Sequence, residues 1–128
     1  MKDKILNIAP DATFLEGQTL TVCLPKETFH ETALRLRHDK ELQFDFLVCM
    51  TGMDWGETLG VMYRLRSTQL GHEIDLRIET PNRTNPELPT VSDIWATANL
   101  NEREVFGLLG IRFINHPDMR KLFLRNDW

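Results

Sequence analysis

Residues 61–80 read VMYRLRSTQLGHEIDLRIET. Two period-two runs flank a polar centre. In the first, Val61, Tyr63 and Leu65 alternate with Met62, Arg64 and Arg66; in the second, Ile74, Leu76 and Ile78 alternate with Asp75, Arg77 and Glu79. Successive side chains of a strand point to opposite faces, so each run has one apolar and one charged face. The polar centre, 67–71, contains Gly71 and turns the chain, which predicts an antiparallel hairpin. One face of the sheet it belongs to is expected to meet water.

Towards the N-terminus, 18–24 also alternates, with Leu20, Val22 and Leu24 opposite Thr19, Thr21 and Cys23. Pro25 ends that strand and can open a helix, whose first turn does not need its missing N–H. Phe29, Thr32, Ala33 and Leu36 then fall at i, i+3, i+4 and i+7. This predicts an amphipathic helix of about four turns, with Arg35, Arg37 and Lys40 near the negative end of its dipole. The next run, 44–50, is FDFLVCM. It is short, aromatic and apolar apart from Asp45, and reads as a buried central strand. Cys49 inside it is expected to be buried and inert. TGMDWG, 51–56, reads as a turn. The first fourteen residues, through Pro10-Asp11, read as a loosely held lead-in.

Towards the C-terminus, PNRTNPELP at 81–89 reads as an extended loop. Thr90, Ser92 and Asp93 are N-capping candidates for a helix carrying Val91, Ile94, Trp95 and Ala98 on one face. Asn99-Leu100-Asn101 interrupts that pattern. Asn101 and Glu104 then resemble a capping box opening a second short helix. Its apolar side is Val105, Phe106, Leu108 and Leu109, and Gly110 is its stop. Glu102 and Glu104 are expected in its first turn, solvated and facing the positive end of the dipole. Residues 111–114 read as extended, and Asn115-His116-Pro117-Asp118 as a turn. The order β-α-β-β-β-α predicts an α+β fold: a mixed, largely antiparallel sheet with helices packed on one face. No linker or repeat divides residues 1–128, which read as a single domain.

Composition narrows the function. The chain has 128 residues, 41% of them hydrophobic, enough for one core. Fifteen basic residues against nineteen acidic give a net charge of -4. No nucleic-acid partner is expected, because phosphate binding needs a basic face. The apolar runs 46–50 and 105–111 fall far short of the ~18 residues of a membrane helix. MKDKILNIAPDATF has no apolar core of a secretory signal, so contact with a membrane is expected only through partners. Cys23 and Cys49 form no CxxC pair, which disfavours an iron–sulfur or zinc site and suits a reducing cytoplasm.

His30, His38, His72 and His116 show no HxxxH or HExxH spacing, and His72 beside the hairpin turn reads as solvated. Phosphate-cradling glycine loops and a GxSxG elbow are also absent. What stands out is 95–120, with its E-R-E triplet, two glycines, His-Pro-Asp turn and closing Arg120. That density fits a protein–protein docking surface better than an enzyme site.

Residues 98–121 read ANLNEREVFGLLGIRFINHPDMRK. This resembles the signature of the 30-kDa (C-type) subunit of proton-pumping NADH–quinone oxidoreductase, respiratory complex I. The resemblance is carried by Ala98, Glu102, Arg103, Glu104, Phe106, Leu108, Leu109, Gly110, Ile111, Phe113, His116, Pro117, Asp118, Met119, Arg120 and Lys121. FDFLVCMTGMDW at 44–55 and PTVSDIW at 89–95 are similar to the family too, so the likeness spans 15–128. Gly107 stands where the family usually has Asp, Leu100 where it often has Trp, and Asn115 where it has Gly.

The resemblance implies a non-catalytic structural and assembly subunit of the hydrophilic arm of a multisubunit, proton-translocating oxidoreductase. It would be peripheral, on the cytoplasmic face of the plasma membrane. Its implied partners are the quinone-site subunit (49-kDa type) and the terminal iron–sulfur subunit. It would hold no cofactor or metal, since NADH, FMN, iron–sulfur clusters and quinone belong to other subunits. The family usually continues with a Gly/Pro-containing, basic tail that would help clasp the neighbour and that residues 1–128 do not include. Glu102, Arg103, Glu104, Phe106, Phe113, His116, Asp118 and Arg120 are the candidates for shaping the docking surface or the turns that present it. Three alternatives remain within reach of the sequence. One is the equivalent subunit of a membrane-bound hydrogenase-type or ferredoxin- or deazaflavin-linked complex. Another is a free-standing enzyme built on His116, Asp118 and Glu104. The third is a non-enzymatic adaptor unrelated to respiration.

Overall fold

The computed structural model describes residues 2–117. In chain order its elements are α1 (Lys2–Ile8), β1 (Thr13–Leu15), β2 (Thr21–Cys23), a 3₁₀ turn (Lys26–Thr28) running into α2 (Phe29–His38), β3 (Phe46–Asp54), β4 (Leu59–Arg66), β5 (Glu73–Thr80), β6 (Glu87–Pro89), α3 (Ala98–Leu109) and β7 (Arg112–Ile114). The five-stranded sheet has the order β1-β2-β5-β4-β3. Within it, β2 and β5 run parallel and the other three pairings are antiparallel. β6 and β7 form a separate parallel pair. This is the expected α+β architecture with a mixed, mostly antiparallel sheet.

The predicted hairpin is β4–β5, in register from Leu59↔Thr80 to Arg66↔Glu73. Val61, Tyr63, Leu65, Ile74, Leu76 and Ile78 are all buried. The predicted face of α2 is buried too: Phe29, Thr32, Ala33 and Leu36. The Phe29 and Tyr63 rings lie 5.1 Å apart, so α2 covers the apolar face of β4. α3 covers the same face. Gly52 pairs with Val61 across β3–β4 and Met50 with Tyr63. A Cβ on Gly52 would come within 2.8 Å of Leu109 Cδ1 and 3.0 Å of Val105 Cγ1. Glycine is what lets α3 sit this close to the strand.

The opposite face carries charge pairs. Arg64 donates to both carboxylate oxygens of Asp75, at 2.8 and 3.0 Å, and Arg66 pairs with Glu73. The Trp55 ring lies over Gly60, and the Arg77 guanidinium sits 3.9 Å from that ring's centre.

Four expectations give way to the structure. First, β3 is an edge strand, not a central one, and it continues to Asp54 through the residues expected to turn. Its register slips between Leu47 and Cys49, where Val48 is bulged. Phe46, Val48 and Cys49 are exposed, so Cys49 is not the buried thiol expected. An apolar run cannot by itself distinguish a strand covered on both faces from an edge strand with apolar residues facing out.

Second, the lead-in contains α1, which buries Ile5 and Ile8, and β1, which pairs with β2. Third, 91–97 forms successive turns rather than a helix, closed by Ile94 and Trp95 N–H groups donating to the Val91 carbonyl. The burial of Val91, Ile94, Trp95 and Ala98 nonetheless follows the expected pattern. Fourth, His72 is half-buried, its Nε2 2.7 Å from the Leu42 carbonyl and its ring against Phe44.

Candidate functional site

α3 is a single twelve-residue helix. It starts at Ala98, so the expected capping box at Asn101 does not form. Glu102 therefore lies in the second turn, away from the helix N-terminus. Gly110 ends the helix with φ 76° and its N–H donates to the Phe106 carbonyl at 2.8 Å. Asn115 also has positive φ, 71°. Asn tolerates that left-handed conformation better than most residues.

Between these two turning points the chain folds back on α3. The Glu102 side chain is buried, with 0% exposure. Its Oε1 accepts from the Thr90 hydroxyl at 2.5 Å and its Oε2 from the Val91 N–H at 2.8 Å. Thr90 Oγ1 in turn lies 2.9 Å from Ser92 Oγ and accepts the Ser92 N–H at 3.1 Å. The Thr90 N–H donates to the Ile114 carbonyl of β7. His116 Nε2 is 3.0 Å from the Asn99 carbonyl and 3.9 Å from Glu102 Oε1, and its imidazole is fully covered. One carboxylate thus joins the 90–92 turn to α3, beside the imidazole of the turn that follows β7. Burial pushes the Glu102 carboxyl up to about 7, against the opposing pull of the Thr90 and Val91 bonds; the Asp93 charge adds to the rise.

The docking candidates divide accordingly. Glu102, Phe113 and the His116 imidazole are interior, with Phe113 only 3% exposed. Their side chains are covered by the chain itself. Glu102 in particular is not the solvated helix-start residue expected. Arg103 and Phe106 are half-buried and Glu104 is exposed. Asp118 and Arg120 lie outside the described residues.

Leu108, expected on the apolar side of the helix, is 74% exposed, and Leu100 is 57% exposed. Leu100, Glu104 and Leu108 fall at i, i+4 and i+8 and share one helical face. Beside them lies a groove of about 220 Å³, lined by Met50, Thr51, Gly52, Glu104, Val105, Leu108 and Leu109. The signal available in the sequence is the eight-residue spacing of the two leucines. It is masked by Val105 and Leu109, which point inward from the same helix. Among the described residues, no group of three or more His, Cys, Asp or Glu side chains is placed to hold a metal ion. No helix among them is long and apolar enough to cross a membrane.

The E-R-E helix and its returning turn, set on an α+β sheet backed by two helices, define a class. The family model described as the respiratory-chain NADH dehydrogenase 30 Kd subunit matches residues 22–128, and the chain belongs to that family. Among its relatives is the NADH-quinone oxidoreductase C/D subunit of Phocaeicola vulgatus. It is 56% identical over 106 residues, which cover 82% of this chain and 20% of the relative. The corresponding C-type subunit of the NADH-quinone oxidoreductase of Acidothermus cellulolyticus is 34% identical over 126 residues, covering 93% of this chain and 65% of the relative. The stretch shared with the C/D relative is thus about a fifth of that relative's length. In structure the chain is similar to one from the membrane-bound sulfane sulfur reductase, described as an archaeal respiratory membrane complex. The TM-score is 0.77 at 25% identity, with 94% of this chain and 72% of that one covered.

Proposed function

We propose that this chain is a non-catalytic structural subunit of the hydrophilic arm of a proton-translocating NADH–quinone oxidoreductase, held on the cytoplasmic face of the membrane. It docks against the quinone-site subunit and lies near the terminal iron–sulfur subunit, while nicotinamide, flavin, clusters and quinone stay in other subunits. The observation that carries this reading is the family match across 22–128, reinforced by relatives whose names join C and D in one polypeptide. Those names support a D-type neighbour. The geometry is compatible with a brace: Glu102, Thr90 and His116, polar residues in and beside the signature region, are committed to bonds within the chain. The outward stripe of Leu100, Glu104 and Leu108 is the face such a neighbour would cover.

The likeness to the sulfane sulfur reductase chain favours one other reading, the equivalent subunit of a related membrane-bound complex. Affinity purification of the tagged chain from native membranes, with identification of every attached polypeptide, separates the two. Recovery of quinone-site and NADH-oxidising subunits is the expected result. Recovery of a hydrogenase- or sulfur-reductase-type set selects the other complex. A lone chain that binds flavin stoichiometrically or oxidises a substrate unaided overturns the structural role.

A further inference from the structure

The Glu102 cluster does more than tie segments together. Its oxygens form a chain: Ser92 Oγ to Thr90 Oγ1 at 2.9 Å, then Thr90 Oγ1 to Glu102 Oε1 at 2.5 Å. A hydroxyl has one proton to donate and two lone pairs to accept with. When Glu102 is ionised, Thr90 gives its proton to Oε1 and accepts from both the Ser92 hydroxyl and the Ser92 N–H. When Glu102 is protonated, its O–H donates to Thr90 Oγ1, and the Thr90 hydroxyl turns to donate to Ser92 Oγ. Every bond survives in both states, with the donor order reversed. Ser92 is half-buried and lines a surface pocket of about 340 Å³ together with Arg37, Asp45 and Asp93, so the outer end of the chain reaches water.

We propose that Glu102 is a proton-binding site whose occupancy sets the direction of the Ser92–Thr90–Glu102 hydroxyl chain and, through it, how firmly the 90–97 turns are held to α3. The proton enters from solvent and no other group is consumed.

The groups that surround the carboxyl come from each element packed on it. β4 supplies Tyr63, whose hydroxyl is buried without a hydrogen-bond partner and so gives the carboxylate no third donor. The turn after β7 supplies His116, at 3.9 Å. The 90–93 segment supplies Asp93, itself 2.7 Å from His30 of α2. Along α3, Arg103 is half-buried and Glu104 exposed. Burial and the Asp93 charge favour the protonated carboxyl, while the Thr90 and Val91 donors favour the ionised one. The first set prevails, and the group sits near neutrality.

A carboxyl raised in the folded state holds its proton where the unfolded or open form has lost it. The contribution of the latch is therefore complete below the ordinary carboxyl value, declines as pH rises towards about 7, and is level above it. Opening of the 90–97 turns should become easier by on the order of 100-fold across that interval.

The test uses the 128-residue chain. The side-chain carboxyl ¹³C shift of Glu102 is followed from acid to mildly alkaline pH, with Glu102→Gln identifying the resonance. Hydrogen exchange of the Val91 amide, corrected for its intrinsic rate, is measured over the same range. A midpoint near 7, with Val91 protection falling by on the order of 100-fold towards that midpoint, is expected. Protection in E102Q should not vary with pH. A midpoint near 4.5, the ordinary value, overturns the proposal. So does Val91 protection that is flat with pH in the unmodified chain, a reading that does not depend on how E102Q folds.

Discussion

The β4–β5 hairpin and the region from Thr90 to Pro117 lie in one domain but are held together by different physics. In the hairpin, period-two alternation puts six large apolar side chains on one face, under α2 and α3. Its backbone polar groups are paired in ladders and its charged side chains sit at the outer face, while the Tyr63 hydroxyl is buried without a hydrogen-bond partner. The second region has little regular structure besides α3, and much of its path is set by one buried carboxylate and the donors that meet it. Apolar burial is non-directional and forgiving of neighbours. A buried charge or proton is directional, and each missing partner costs more than the bond itself contributes.

Substitutions can break that contrast in order of size. The largest loss is expected from Leu76→Ala, which empties a fully buried position of the hairpin. It should cost about 2–5 kcal/mol in urea unfolding, the range for large-to-small core changes. Thr90→Val comes next. It keeps the volume but takes a donor from a buried carboxylate, and about 1–3 kcal/mol is expected in the same assay. A loss comparable to that of Leu76→Ala would erase the distinction between the regions.

Gly52→Ala should cost about 1 kcal/mol, because the new methyl meets the tips of Leu109 and Val105, while the unfolded chain loses some freedom. Its thermal midpoint would tell whether α3 can move outward. The smallest effect on folding belongs to Leu108→Asp, within about 0.5 kcal/mol, since that side chain is largely in water. Co-purification of the neighbouring subunits should nonetheless drop sharply if this stripe is the covered face.

The same contrast explains what can be read from the residues. The hairpin, the α2 face and the mixed sheet are legible, because alternation and i, i+3, i+4 spacing report burial directly. The position of β3 is not. Phe46 and Val48 are apolar yet exposed, and a sequence pattern records hydrophobicity rather than which strands lie on either side. Glu102 misleads for a related reason. A carboxylate near an expected helix start has a ready explanation in the dipole, and only the fold brings Thr90 and Val91 against it. α1 escapes notice because seven residues with two buried isoleucines give too short a period to recognise. The signature in 98–121 identifies the family without revealing that its glutamate faces inward.

The parallel seam between β2 and β5 bears on how the molecule is made. Thr21 lies opposite Asp75, so β2, with β1 on its outer side, has no seat in the sheet until β5 has been synthesised. The β3–β4–β5 meander, whose neighbours are adjacent in sequence, can assemble first and offer an open edge. The N-terminal strands must then be drawn in across the entropy of a long intervening loop. A nascent chain halted before Glu73 would accordingly carry its first two strands without their place beside β5.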